Sequence, residues 1–303
     1  MIHVGTCSWT EKTLIKSGEF YPKDAKTAES RLRHYAGWFD TVEVDSTYYA
    51  LPDSRNTYLW VHRTPDRFTF HIKAYGALTG HSVDPQTLPR DIQGMLPSED
   101  RGKTHVYIRE PLLRETIAER FRSALSPLAE SGKLGVLVYQ FPPWFQYNPT
   151  NLDFIIRCQE LMGTIPIAVE FRHGSWLTPQ RSDQVLRFLR EQHLTYITVD
   201  EPQYGTLATI PFIPRVTVGI AYFRFHGRNR ENWLKKGIET SLRFAYEYSD
   251  NELEEFIPAI TELHGKANQT FVMFNNCHLG FAVRNAQKMR EMLQKEDASG
   301  KET

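Results

Sequence analysis

Hydrophobic and polar positions along the chain fall into two kinds of run that follow one another in turn. Short runs of alternating or wholly apolar character read as strands: Ile2 to Cys7, Thr41 to Thr47, Phe68 to Lys73, Gly135 to Phe141, Ile165 to His173, Leu194 to Asp200, a seventh within Ala221 to Arg230, and Gln269 to Asn276. Helical spacing lies between them. It joins Leu32, Tyr35, Ala36 and Phe39; Tyr58, Leu59 and His62 behind Ser54 as N-cap; Ile117, Phe121, Leu125 and Leu128; Leu152, Ile155, Ile156, Gln159 and Met162; and Val185, Leu186 and Leu189 behind Ser182. Ser249 and Glu252 have capping-box spacing ahead of Leu253, Phe256, Ile257, Ile260 and Leu263, and Ala282 to Gln294 is the last helix.

Two stretches break the rhythm. Residues 74–112 mix prolines, glycines and charges without a period, which predicts a long insertion over one end of the domain, of the kind that forms lids. From Asp200 to Val218 the crossover shows no helical period either. Eight strands separated by helices or long crossovers, with runs such as GVLVYQF apolar on both faces, predict an α/β fold of the (β/α)8 TIM-barrel type. It is expected as a single domain over residues 1–294 with a polar, flexible, frayed tail from 295 to 303. A doubly wound open sheet is the rival, but TCSWTEK after the first strand lacks the glycine-rich phosphate turn.

Composition narrows the class. The chain has 303 residues, 41% of them hydrophobic, enough for a sizeable core. Lysine plus arginine balances aspartate plus glutamate at 36 each, so any anion site must be local and not a property of the whole surface. Cys7, Cys158 and Cys277 are far apart and form no CxxC, arguing against a zinc ribbon or a disulfide framework. With no apolar window of membrane-spanning length and no leader pattern at MIHVGTCSW, a cytoplasmic protein without membrane attachment is expected; the oligomeric state stays open.

In such a barrel the inward side chains at the C-terminal strand ends share one bowl, where active sites sit. The strands turn polar at that end: Glu43 and Asp45, His71 and Lys73, Gln140, Glu170 and Arg172, Asp200, Arg224 and His226, Asn275 and Asn276. Glu170, His226, Glu43 and Asp200 are the candidate acids and bases. Lys73, Arg172, Arg224 and Arg228 suit an anion beside Gly227, since planar guanidinium donors match phosphate or carboxylate. Gln140, Asn275 and Asn276 would orient a substrate. Trp9, Tyr48, Tyr49, Trp144, Phe145, Trp176 and Trp233 follow strand ends, where flat rings suit stacking, Tyr48 and Trp176 foremost. Glu43, Glu170, Asp200 and His226 could also ligate a divalent metal, but no HExxH or paired-His spacing supports assigned metal residues, and the cofactor stays unknown. For each side chain alone, an ion pair or a packed rim is the competing explanation.

GTCSW at Gly5, FYP at Phe20, VEVDSTYYALP at Val42, TPDRFTFHIK at Thr64, LGVLVYQFPPWF at Leu134, AVEFRHGSW at Ala168, YFRFHGR at Tyr222, YSDNEL at Tyr248 and FNNCHLGFAVRNA at Phe274 keep their order along nearly the whole chain. Together they make the sequence resemble the DUF72, or YecE-like, family. The resemblance implies a TIM barrel and carries no established reaction. It implies family positions at Glu43, Ser46, Thr47, Tyr48, Lys73, Gln140, Glu170, Arg172, Arg224, His226, Gly227, Asn275 and Asn276, with departures at Cys7 and Asp45.

Three functions are compatible with these residues. The first is a hydrolase, lyase or isomerase acting on a small or nucleotide-like molecule bearing phosphate or carboxylate. In it Glu170 is the acid or base, His226 assists, and Glu170→Gln would remove turnover while sparing the fold. The second binds or processes nucleic acid, and the third is a ligand-binding barrel without turnover.

Overall fold

The computed structural model describes residues 1–299. Strands and helices follow in the order β1 (Ile2–Thr6), α1 (Lys12–Ser17), α2 (Ala28–Trp38), β2 (Thr41–Val44), α3 (Ser54–His62), β3 (Thr69–Lys73), α4 (Arg90–Gly94), α5 (Pro111–Glu130), β4 (Leu134–Gln140), α6 (Pro149–Met162), β5 (Ile167–Glu170), α7 (Ser182–Glu191), β6 (Thr195–Asp200), β7 (Ile220–Phe225), α8 (Thr240–Arg243), α9 (Asp250–Glu254), α10 (Ile257–His264), β8 (Gln269–Phe274) and α11 (Phe281–Ser299). The eight strands close into a barrel, each parallel to the next and β1 paired along its whole length with β8. The fold is a (β/α)8 barrel.

Strands covered by helices outside and by each other's side chains inside are buried on both faces, which is why β4, β6 and β7 read as near-continuous apolar runs. Partners in a parallel ladder point the same way, so the register fixes which residues meet in the interior. Glu43 lies level with His71, Lys73 with Val138, Gln140 with Glu170, and Arg224 with Val199 and Met273. His71 reaches sideways to accept the Val136 N–H at 3.1 Å. Residue 135 must be glycine there, because a Cβ would lie 2.5 Å from the imidazole.

Several strands stop earlier than their pattern predicts. After Val44 the chain winds into a 3-10 turn, Ser46–Tyr48, which Thr47 pins by donating to the Lys73 carbonyl at 2.6 Å; β5 ends at Glu170, and Arg172 extends from the loop beyond. Caps also move by one residue. Asp53, not Ser54, accepts the Arg55 N–H, its carboxylate being well placed for that donor, and α7 starts at Ser182 with no side-chain cap. The Ser249–Glu252 capping box forms as expected, but the following helix divides into α9 and α10, with Pro258, which has no N–H to donate, in the first turn of the second piece.

The 74–112 segment is three 3-10 turns and α4, joined by an antiparallel Val83–Val106 bridge, with Tyr75, Ala77, Leu78, Leu88 and Ile92 buried beneath it. No helix fills the β6–β7 crossover. Where a frayed tail was expected from Lys295, α11 continues to Ser299; residues 300–303 lie outside the described part.

Candidate functional site

At the C-terminal end of the barrel the interior is built around Arg224. It projects inward from β7 and is wholly buried. Its Nη1 donates to Glu170 on β5 and, at 3.1 Å, to Gln140 Oε1 on β4; its Nη2 donates to Glu43 on β2 at 2.7 Å. One guanidinium therefore spans the barrel between two buried carboxylates. Tyr222, one inward step below on β7, donates its hydroxyl to the other Glu43 oxygen at 3.1 Å.

These neighbours set the charges. Burial alone would raise the Glu170 carboxyl, but Arg224, His226 and Arg172 outweigh it and hold it well below the usual carboxylate range. Glu43 has only Arg224 close by and Lys73 farther off, so burial dominates and its proton affinity rises. His226 is pinned between two partners. Asn275 Nδ2 lies 2.8 Å from His226 Nδ1, and an amide nitrogen only donates, so the ring proton sits on Nε2 and is given to Glu170 Oε1 at 3.2 Å. Burial drives this imidazole down to about 3 despite Glu170, so it stays neutral and fully bonded.

Above this layer lies a second, partly exposed one. Arg172 donates Nη1 to Glu170 at 3.1 Å, while its guanidinium carbon sits 4.8 Å from the ring centre of Trp233. Its Nη2 has no partner among the described residues, and its side chain is 14% exposed. Lys73 pairs with Asp45 at 3.3 Å and lies 5.1 Å from the centre of the Tyr48 ring. From Tyr48 an edge-to-face chain runs through His81 to the exposed Trp144 on the rim.

Four residues expected in the bowl are elsewhere. Asp200 is level with Phe225, so it points out of the barrel, not into it. There it receives Arg228 through both Nε and Nη2 at 3.1–3.2 Å and the Tyr248 hydroxyl at 2.6 Å. Arg228 also faces Glu252 and Glu255 at 3.4 Å, so three carboxylates surround it and it is no free anion donor. Asn276 points outward and donates to the Tyr246 carbonyl and to Asn285, both at 2.8 Å. Gly227, at φ 86°, gives its N–H to the Tyr248 hydroxyl at 2.8 Å, and a Cβ there would meet Tyr246 at 2.7 Å. These side chains form a latch that fastens the β7 and β8 loops to α9.

Trp176 is also withdrawn: it is fully buried, stacked between Phe145 and Phe171 with its N–H on the Phe145 carbonyl, so it offers no face to a ligand. Trp9 and Phe145 are likewise core, Trp233 is buried with its ring against Arg172, and Trp144 and Tyr49 are exposed. Among the described residues no group of three or more His, Cys, Asp and Glu side chains is arranged to hold a metal ion. Glu43 and Glu170 flank Arg224 and Asp200 faces away, so the four donors considered for a metal do not converge.

The residue that pattern reading missed is Glu201. It follows β6, is 1% exposed, accepts the Ile210 N–H on Oε1 at 2.9 Å, and places Oε2 3.4 Å from Arg172 Nε. Burial pushes it up to about 7, against the pull of Arg172. Sequence carried no signal for it, because β6 is apolar on both faces; the register, which pairs Ile197 with Tyr222 and Val199 with Arg224, makes 201 the inward position and 200 the outward one.

A closed parallel barrel with a charged, partly dry mouth defines the protein as a (β/α)8-barrel protein with its polar cluster at the end where such folds carry their sites. Its relatives share that fold. The profile described as "Protein of unknown function DUF72" matches residues 3–303, and the chain belongs to the DUF72 family. It is 32% identical over 297 residues to the UPF0759 protein YunF of Bacillus subtilis (strain 168), covering 97% of this chain and 95% of that one. Among solved structures it is similar to a DUF72 family protein from Enterococcus faecalis V583, with TM-score 0.79 and 29% identity over 97% of this chain and 96% of the other. It is also similar to one from Thermotoga maritima MSB8, with TM-score 0.77 and 30% identity over 97% and 99% of the two chains.

Proposed function

We propose that the mouth of this barrel binds a small molecule through a phosphate or carboxylate group and acts on it by proton transfer, as a hydrolase, lyase or isomerase would. The observation that carries this reading is the state of Arg172. Its guanidinium lies over Trp233, is anchored at Nη1 by an ionised Glu170, and keeps Nη2 unbonded at a partly exposed position. A guanidinium held in place loses little freedom on meeting an anion, and its planar donors match two oxygens at once. Lys73 supplies a second reachable cation, with Asp45 beside it. In this reading Arg224 is the charge that keeps Glu43 and Glu170 in place beneath, and Glu170 orients Arg172 and His226 without exchanging its own proton.

Sulfate titrated calorimetrically, with chloride holding ionic strength constant, tests the reading. Binding is expected in the wild type, with Arg172→Ala weakening it about tenfold or more and Lys73→Ala by less. Equal affinity in wild type and Arg172→Ala would remove the assignment. Tight binding of a DNA strand that weakens steeply with salt would instead favour the nucleic-acid function, which now has fewer rim cations to draw on, since Arg228 is surrounded by carboxylates.

A further inference from the structure

The carboxylates near the mouth differ in what holds them and in whether they reach Arg172. Glu170 takes hydrogen bonds from Arg224, Arg172 and His226. Glu43 lies below, closed in by Arg224 and Tyr222. Asp200 faces away. Asp45 Oδ1 also lacks a hydrogen-bond partner, but the cation it faces is Lys73, at 3.3 Å, and not Arg172. Glu201 differs in having one oxygen tied to a backbone amide and the other, Oε2, buried without a hydrogen-bond partner, beside the guanidinium that the anion reading uses. A buried carboxylate oxygen with no donor is an unstable arrangement for the ionised form and an open position for a proton.

We propose that Glu201, through Oε2, takes up the proton that accompanies an anionic ligand onto Arg172 and presents it to that ligand. This rests on the anion-binding reading above and goes beyond it by naming the acid. The step is balanced: the carboxylate and one solvent proton give the carboxylic acid as the anion binds, and the proton leaves when the anion does. The physical cause is charge. Arg172 is already flanked by Glu170 and Glu201, and a further negative group on the same guanidinium raises the proton affinity of Glu201, the one of the two with an oxygen that no donor holds. Once formed, Oε2–H needs an acceptor, and the ligand oxygen on Arg172 is the one that arrives. The other groups acting on Glu201 are Glu170 and the adjacent Asp200, which favour the proton, and Tyr196 and Tyr204, both held in their neutral forms. Arg224 and His226 stand behind Glu170, and Arg215 and Arg230 act on the two tyrosines. Fixed uptake of a proton on binding is linkage, so pH must alter affinity in return.

The test uses the intact protein and sulfate, which does not itself titrate near neutrality. Calorimetry in buffers of different ionisation enthalpy is expected to show uptake of up to about one proton per sulfate near pH 7.5, and affinity falling by up to about tenfold per pH unit above 7. Glu201→Gln keeps the acceptor for Ile210 and is expected to bind sulfate with no proton uptake and a flat profile from pH 6 to 8. Arg172-dependent binding without proton uptake in the wild type would overturn the role of Glu201 and leave the anion site standing. Uptake that persists in Glu201→Gln would also overturn it. No sulfate binding at all, or binding indifferent to Arg172→Ala, would overturn both.

Discussion

Replacing Arg224 by methionine is expected to destabilise the protein by about 3–5 kcal/mol, because it leaves Glu43 and Glu170 buried without their shared counter-charge. Urea unfolding measures this, and adding Glu43→Gln and Glu170→Gln to the same chain should recover a large part of the loss. Wild-type stability in the single variant would mean that the cluster does not hold the barrel together. For the same reason Glu170→Gln is expected to cost stability as well as any turnover: it removes the charge facing two arginines and leaves one acceptor oxygen where Arg224, Arg172 and His226 use two. Alternation was enough to find Glu43, Lys73, Glu170, Arg224 and His226, since a charged side chain within an apolar strand marks itself. It could not say which carboxylate holds a mobile proton, because that depends on how many donors each one meets, and those donors come from strands far away in the chain.

At the scale of elements, the latch among β6, β7 and α9 rests on the Tyr248 hydroxyl, which accepts from Gly227 N and donates to Asp200. Tyr248→Phe is expected to cost about 1–3 kcal/mol, by leaving a buried donor and acceptor unmet, and to speed amide exchange at Gly227. Unchanged exchange there would show that the loop is held by other contacts. The latch also explains why HGRNR misleads. Its arginines follow a strand end, as phosphate-binding residues do, yet α9 brings Glu252, and the residue that caps it, Glu255, onto Arg228. The eight strands and most helices were legible because helix-covered strands and amphipathic helices have distinct periods. The phase of β6 was not, since a strand apolar on both faces does not say which side is inside, and one residue of slip exchanges Asp200 for Glu201. Residues 74–112 had no period because they fold as short turns, whose side chains need not repeat.

Across the whole molecule, buried titratable groups pull stability in opposite directions with pH. His71 and His226, lowered by burial from 6.5 to about 3, together with the depressed Glu170, contribute stability that is lost as pH falls. Glu43 and Glu201, raised by burial from 4.5, Glu201 to about 7, contribute stability at low pH that is lost as pH rises towards neutrality. The two sets largely offset between about pH 4.5 and 6.5, so the urea midpoint is expected to be flat there, to fall below about pH 4.5 and to decline gently up to about pH 7. A midpoint that rises steadily from pH 4.5 to 6.5 and then levels off would show that both raised carboxylates are ionised throughout that range. Arg224 and Glu43 also stand 181 residues apart. A growing chain has therefore made β2, with its acid, long before the base that neutralises it exists. The first half of the barrel cannot seal around Glu43 in its charged form, so closure of the ring has to wait for β7, and half-barrels cut from this sequence should not hold together as independent folding units.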